Sequence, residues 1–176
     1  MSGSGSALQS SAPLGPMQRQ GNTAFATSVA LLMVRMALGW TFIFHGAQLA
    51  FGAFGGPGLD GFSKGLANMP ALPPMLWAAI AAYGQLLGGI SVLLGLLARA
   101  GTLPIIANMF VAIATVHMTK GFSLQNGGYE YNVNLIAESV LILIAGPGLI
   151  SADAFLFQRG FWARGAQPLG NPVPRA

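Results

Sequence analysis

Few side chains in this 176-residue sequence could do chemistry, and they fall into two groups. The first comprises His45, His117 and Glu138, with Tyr131, Asn134 and Glu130 close to the carboxylate in sequence. Tyr131, Asn134 and Glu138 share one helical stripe, since spacings of four and seven fall on one face. A carboxylate beside two imidazoles could carry protons to or from a quinone oxygen. The same His, Tyr and Asn would also suit an interface, meeting headgroups and water, but Glu138 lies deeper than an interface requires. Haem ligation by His45 and His117 is not expected, because no helix carries the repeated histidine pairs of a dihaem cytochrome. Three well-placed metal ligands are not evident from the spacing, so no metal site is expected either. Without cysteine, the chain has no disulfides, thiolate nucleophiles, iron–sulfur clusters or Cys-type zinc sites.

The second group is Arg35, Gln85 and Asn108, each deep within an apolar stretch. Ionisable groups inside such stretches usually face a bundle interior. A guanidinium on one helix could reach Gln85 on the next, or snorkel to the membrane surface. An internal polar clamp holding helices together is the simpler reading, ahead of catalysis.

What must position these residues follows from composition. The chain is 53% hydrophobic and only 7% charged, where a soluble globular protein carries about 25% charged residues. So few charges cannot cover a soluble surface of this size, so lipid must be the solvent for most of the chain. Four stretches approach the roughly 20 apolar residues that cross a bilayer as helix: about Ser28 to Ala50, Met75 to Ala98, Thr102 to Thr119, and Asn132 to Ile150. Arg99-Ala100-Gly101 reads as a tight turn between the second and third. Between the first two, Asp60 could cap a short interfacial helix carrying Phe62, Leu66 and Met69 on one side. Along the second, Gly84, Gly88, Ser91 and Gly95 form a small-residue stripe suited to close helix packing.

Charge sets the expected orientation. With both tails and the Arg99 turn on one side, that side holds Arg19, Arg99, Arg159, Arg164 and Arg175. The other side holds Lys64 and Lys120, balanced by Asp60 and Glu130. The positive-inside bias then makes both termini cytoplasmic. The net charge of +4 carries no clustered basic face, so no nucleic-acid partner is expected.

Several short motifs occur in order: Arg35-Met-Ala-Leu-Gly39, Phe44-His45-Gly46, Phe54-Gly55-Gly56-Pro57-Gly58, Gly88-Gly89, and Leu94-Gly95 to Arg99. They continue with His117 before a Gly-Phe, Gly128-Tyr129-Glu130, and Gly146-Pro147-Gly148 leading to Ser151-Ala-Asp153. On these motifs the chain, from about Leu31 to Phe157, resembles the DoxX family of small four-helix membrane proteins. Gln85 stands where such proteins often have glutamate, and Leu49 where lysine is common. The resemblance implies a plasma-membrane protein tied to redox processes, in a family that includes the membrane subunit of a thiosulfate:quinone oxidoreductase.

The expected fold is therefore all-α, an antiparallel four-helix transmembrane bundle. Residues 28–150 form it, residues 1–27 a flexible cytoplasmic N-terminal tail, and residues 151–176 a cytoplasmic C-terminal tail. The expected setting is a bacterial-type inner membrane, with the lipid bilayer and other membrane or redox subunits as partners. Functionally the chain reads as a non-catalytic or quinone-facing subunit of a respiratory or redox complex, with quinone as the candidate cofactor. The alternative is a structural or assembly protein, or one that passes a small solute; the separation of its polar residues into two layers argues against a channel for charged substrates.

Overall fold

In the computed structural model, which describes residues 16–158, Pro16 opens a helix that runs unbroken to Phe51 (α1, Pro16–Phe51). Proline suits a first helical turn, where its missing N–H has no helical partner to lose. The helix begins well before Ser28, so residues 16–27 are helical, although a flexible tail was the expectation for 1–27. A helix already formed by the apolar stretch extends one residue at a time at little cost. Residues 1–15 and 159–176 of the expected tails lie outside the described residues.

After α1, Gly52 turns the chain at φ 69° into a short 3-10 turn, Ala53–Gly55. A short helix stands where one was expected, α2 (Gly58–Gly65), and it carries Phe62, but Leu66 and Met69 lie beyond its end. Its N-cap is Pro57, however, and Asp60 lies within the first turn, where a carboxylate favours the positive end of the helix dipole. Next come α3 (Pro74–Leu94) and α4 (Ala98–Ala112). A π-helical turn, Ile113–His117, and a 3-10 turn, Met118–Lys120, prolong α4. The last long helix is α5 (Glu130–Ala145), followed by a π-helical turn at Ala154–Gln158.

Among the described residues every regular element is helical, and three helices are long and apolar enough to cross a membrane: Gln20–Phe51, Pro74–Leu94 and Ala98–Lys120. The fourth expected span is the 16-residue α5, which stops at Gly146, ahead of Pro147. Its length of roughly 24 Å falls short of a full hydrocarbon core.

The α3–α4 turn differs from expectation. The chain reverses at Gly95-Leu96-Leu97, and Arg99-Ala100-Gly101 already belongs to α4. Gly95 and Leu97 both take left-handed backbone, at φ 67° and 51°. The Ser91 hydroxyl lies 2.5 Å from the Leu96 carbonyl oxygen and 3.1 Å from that of Leu97. The Asp153 carboxylate accepts the Leu97 N–H at 2.8 Å and the Ala98 N–H at 3.4 Å, satisfying the start of α4 from far along the chain.

Helix α3 is the central packing element, and its small residues explain how. A side chain at Gly89 would sit 2.8 Å from the Ile43 nitrogen and 2.9 Å from the Gly39 carbonyl oxygen, so α1 and α3 touch backbone to backbone. On another face, a side chain at Gly88 would meet the Gly101 carbonyl oxygen of α4 at 2.7 Å. The stripe read from the sequence thus serves packing. Leu38, Phe42, Val92, Ala98, Ile105, Met109, Leu135 and Ile142 fill the core between α1, α3, α4 and α5. Met33, Met36, Trp40, Leu87, Phe110 and Ile144 point outward, as suits helices solvated by lipid.

Candidate functional site

The polar residues gather at opposite ends of the helices. At the end that holds the α3–α4 turn, Arg35 is buried and its guanidinium meets four backbone carbonyls. Nε donates to Val92 O at 2.8 Å and Nη2 to Leu93 O at 2.8 Å, capping the C-terminus of α3. Nη1 donates to Pro147 O at 2.9 Å and Ile150 O at 2.7 Å, in the segment after α5. Val92 O also accepts the Gly95 N–H at 3.1 Å, while the other three carbonyls take their hydrogen bonds from this one planar fork. Close by, Ser28 Oγ accepts the Leu149 N–H at 3.0 Å, and Arg99 Nη2 donates to Ile144 O at 3.1 Å. Gly95 makes room for this arrangement: a side chain there would lie 2.5 Å from Arg35 Nη2 and 2.6 Å from Ser151 Cβ. Arg35 is thus an internal clamp, but it does not turn to Gln85. Asn108 is a separate tie, donating from Nδ2 to Ala81 O on α3 at 2.8 Å.

Toward the α2 end lie two adjoining cavities. One, of about 300 Å³, is bordered by His45, His117, Tyr131, Asn132, Gln85 and the Gly127-Gly128 backbone. The other, of about 270 Å³, lies under α2 and is almost wholly apolar, with Phe62, Leu66, Met69, Trp77 and Ile80 in its wall. Leu49, Gln85, Met109 and Ala112 border both, so the two form a polar chamber and an apolar chamber on either side of a shared wall.

Much of the polar chamber's wall is apolar, with Phe42, Leu124 and Leu135 in it, and its polar groups are mostly acceptors. His117 Nδ1 lies 2.6 Å from the Gly127 carbonyl oxygen, so Nδ1 carries the proton. In the neutral ring that leaves Nε2 as an acceptor. His45 Nδ1 lies 3.2 Å from Gln48 Oε1, which sets the same tautomer. Asn132 donates from Nδ2 to the Met109 sulfur at 3.4 Å, a weak acceptor, and its Oδ1 has no partner among the described residues. Gln85, only 8% exposed, makes no hydrogen bond within the described protein. Every fully enclosed polar side-chain atom among the described residues has a partner, so the free amide atoms of Gln85 and Asn132 open onto the cavity.

The other expected members of the pocket are elsewhere. Glu130 Oε2 accepts the Leu124 N–H at 2.9 Å and so braces the 121–129 loop. Asn134 is exposed, about 200° around the helix from Asn132. Glu138 is half-buried and lies on the Tyr131 stripe, roughly 10 Å further along α5 and outside the chamber wall. Asn132 was missed in the sequence, although its spacing to Leu135, Ser139 and Ile142 marks the buried face of α5. Gln85 was read only as a clamp; Ala78, Ala82, Gly89 and Val92 place it on the buried face of α3.

The π-helical turn bears directly on the site. It puts one extra residue into the last turns of α4, and such insertions occur often at functional sites. Here it closes on His117, with Ala112 of the shared wall just before it. A family model, DoxX, matches residues 30–118 of the chain. The chain belongs to the DoxX family. No curated protein and no solved structure matches it. The matched stretch of this DoxX chain carries Arg35, His45, Gln85, Asn108 and His117, and ends one residue beyond the π-helical turn. Tyr131 and Asn132, on α5, complete the chamber from outside the stretch. Among the described residues of this DoxX protein, no group of three or more His, Cys, Asp or Glu is placed to hold a metal ion.

Proposed function

We propose that this chain is a four-helix transmembrane bundle of a bacterial-type inner membrane, with both termini cytoplasmic. In it α5 and the residues that follow make the fourth crossing. Its role is that of a quinone-facing, non-catalytic subunit of a redox complex. One observation carries this reading: the chamber that holds the polar groups adjoins an apolar one, and Leu49, Gln85, Met109 and Ala112 border both. A molecule with a compact polar head and an apolar tail fits such a pair of spaces. His45, His117, Tyr131, Asn132 and Gln85 would hold the head, and the residues under α2 would hold the start of the tail. A bound quinone would supply two-electron redox chemistry; the chain's own residues bind and orient its head. The electron source belongs to a partner, since the chain has no cysteine for thiol chemistry.

The test is extraction from native membranes into polymer nanodiscs, followed by quantification of quinone and identification of co-purified proteins. Quinone at near one per chain together with a redox partner supports the reading. Isolation with lipid but with neither quinone nor partner overturns it. The variant Ala112→Trp adds a specific control, because it fills the wall shared by the chambers. It should expel quinone while leaving the Arg35 clamp, at the opposite end, intact.

A further inference from the structure

Resting on the quinone reading above, we infer that the polar chamber selects a hydroxyl-bearing head, binding the reduced quinol in preference to the oxidised quinone. The inference follows from which atoms of the chamber lack partners. Gly127 and Gln48 fix the protons of the two imidazoles on Nδ1, so both rings offer Nε2 as an acceptor in their neutral form. Asn132 spends one N–H on Met109, which leaves its second N–H and its oxygen free among the described residues. Gln85 contributes a free amide with one acceptor oxygen and two donor hydrogens. The Tyr131 hydroxyl can serve as either. Acceptors therefore outnumber fixed donors around the chamber.

A quinone head brings only carbonyl oxygens. It can use the free N–H groups of Gln85 and Asn132, but it leaves the imidazole and Asn132 acceptors unmatched in a site from which it has displaced water. A quinol head brings two O–H groups at opposite ends of its ring, each able to donate to one of those acceptors, while one of its oxygens still accepts from Gln85. A site that desolvates polar groups discriminates most strongly against a ligand that leaves them unpaired. The neutral amide at Gln85 suits this exchange, because it can face a hydroxyl oxygen or a hydroxyl hydrogen without a change of charge.

The experiment compares three probes on the full chain in nanodiscs under anaerobic conditions, by equilibrium binding with no turnover. They are a short-chain menaquinone, its dithionite-reduced quinol, and the bis-methyl ether of that quinol. The ether keeps the reduced ring and loses both donors, so it separates hydrogen bonding from redox state. The quinol should bind at least about tenfold more tightly than either the quinone or the ether. Equal binding of quinol and ether overturns the inference and leaves the quinone reading standing. Failure of all three to bind overturns the quinone reading itself. His117→Phe and His45→Phe, which remove acceptors and no donor, should each weaken quinol binding toward that of the ether while changing ether binding little. If these variants weaken all three probes alike, the residues only shape the space and the selection is absent. Thermal melting of each variant in nanodiscs identifies any loss caused by misfolding, so that either histidine alone can still test the inference.

Discussion

A lysine at position 35 would keep the charge and lose the fork. Its single ammonium cannot face the Val92, Leu93, Pro147 and Ile150 carbonyls at once, because those acceptors belong to two separate segments. Arg35→Lys should therefore destabilise the protein by roughly 2 kcal/mol, and Arg35→Met, which leaves the Leu93, Pro147 and Ile150 acceptors without their donor and Val92 with the Gly95 N–H alone, by roughly 4 kcal/mol. SDS-induced unfolding followed by tryptophan fluorescence would measure both; an unchanged midpoint in Arg35→Met would show that the clamp contributes nothing. Asp153→Asn keeps one acceptor oxygen at the start of α4 and removes the negative charge, so about 1 kcal/mol is expected in the same assay. These residues show how legibility divides. That Arg35 must be held inside could be read from its place in an apolar run. Its partners could not, because they are backbone carbonyls, which every residue has. At the chamber, His45, His117 and Tyr131 could be named from sequence because their side chains are rare here. Asn132 was passed over for Asn134, since the choice between them turns on helix phase, which tertiary packing of Leu135 and Ile142 fixes.

At the scale of elements, hydropathy located the helices well because lipid imposes the same demand along each span. Their ends depended on local backbone and distant caps, which hydropathy does not register. Thus Gly95 ends α3 early, and Asp153 starts α4 before the expected turn is over. The contact of α1 with α3 provides a direct test. Gly89→Ala would press a methyl group against the backbone of Ile43 and Gly39, where nothing can rotate away. A loss of about 1–3 kcal/mol in the SDS assay is expected. Gly84→Ala is the matched control: its methyl would meet only Pro104 Cβ, at 3.4 Å, so a much smaller change is expected. The π-helical turn yields a second test. Deleting Ala114, an exposed residue within it, should restore ordinary helix while His117 keeps its face, because the wide turn already absorbs the extra residue. The protein should still assemble and bind quinol. A loss of at least about tenfold, as for His117→Phe, would mean that the wide turn itself shapes the chamber.

For the whole molecule, the lack of cysteine makes orientation simple to measure, because every introduced thiol is unique. Ala100 is exposed near the start of α4, and Gln125 is exposed in the 121–129 loop beyond the other end of its extension. In intact cells an impermeant maleimide should label Gln125→Cys and spare Ala100→Cys until the membrane is opened; the reverse pattern would invert the proposed topology. The Arg35 clamp has a further consequence, for the order of biosynthesis. Ribosomes make α1 first, yet two of the four acceptors for its guanidinium lie 112 and 115 residues downstream. Until Pro147 and Ile150 emerge, α1 enters the bilayer with an incompletely matched cation, at an insertion cost of roughly 3 kcal/mol for an arginine near mid-helix. Nascent chains that stop after Ala145 should thus be recognised as incomplete and degraded, while chains that extend through Asp153 should persist, a difference that pulse-chase labelling would reveal. A segment made long after the first helix is the one that lets that helix settle.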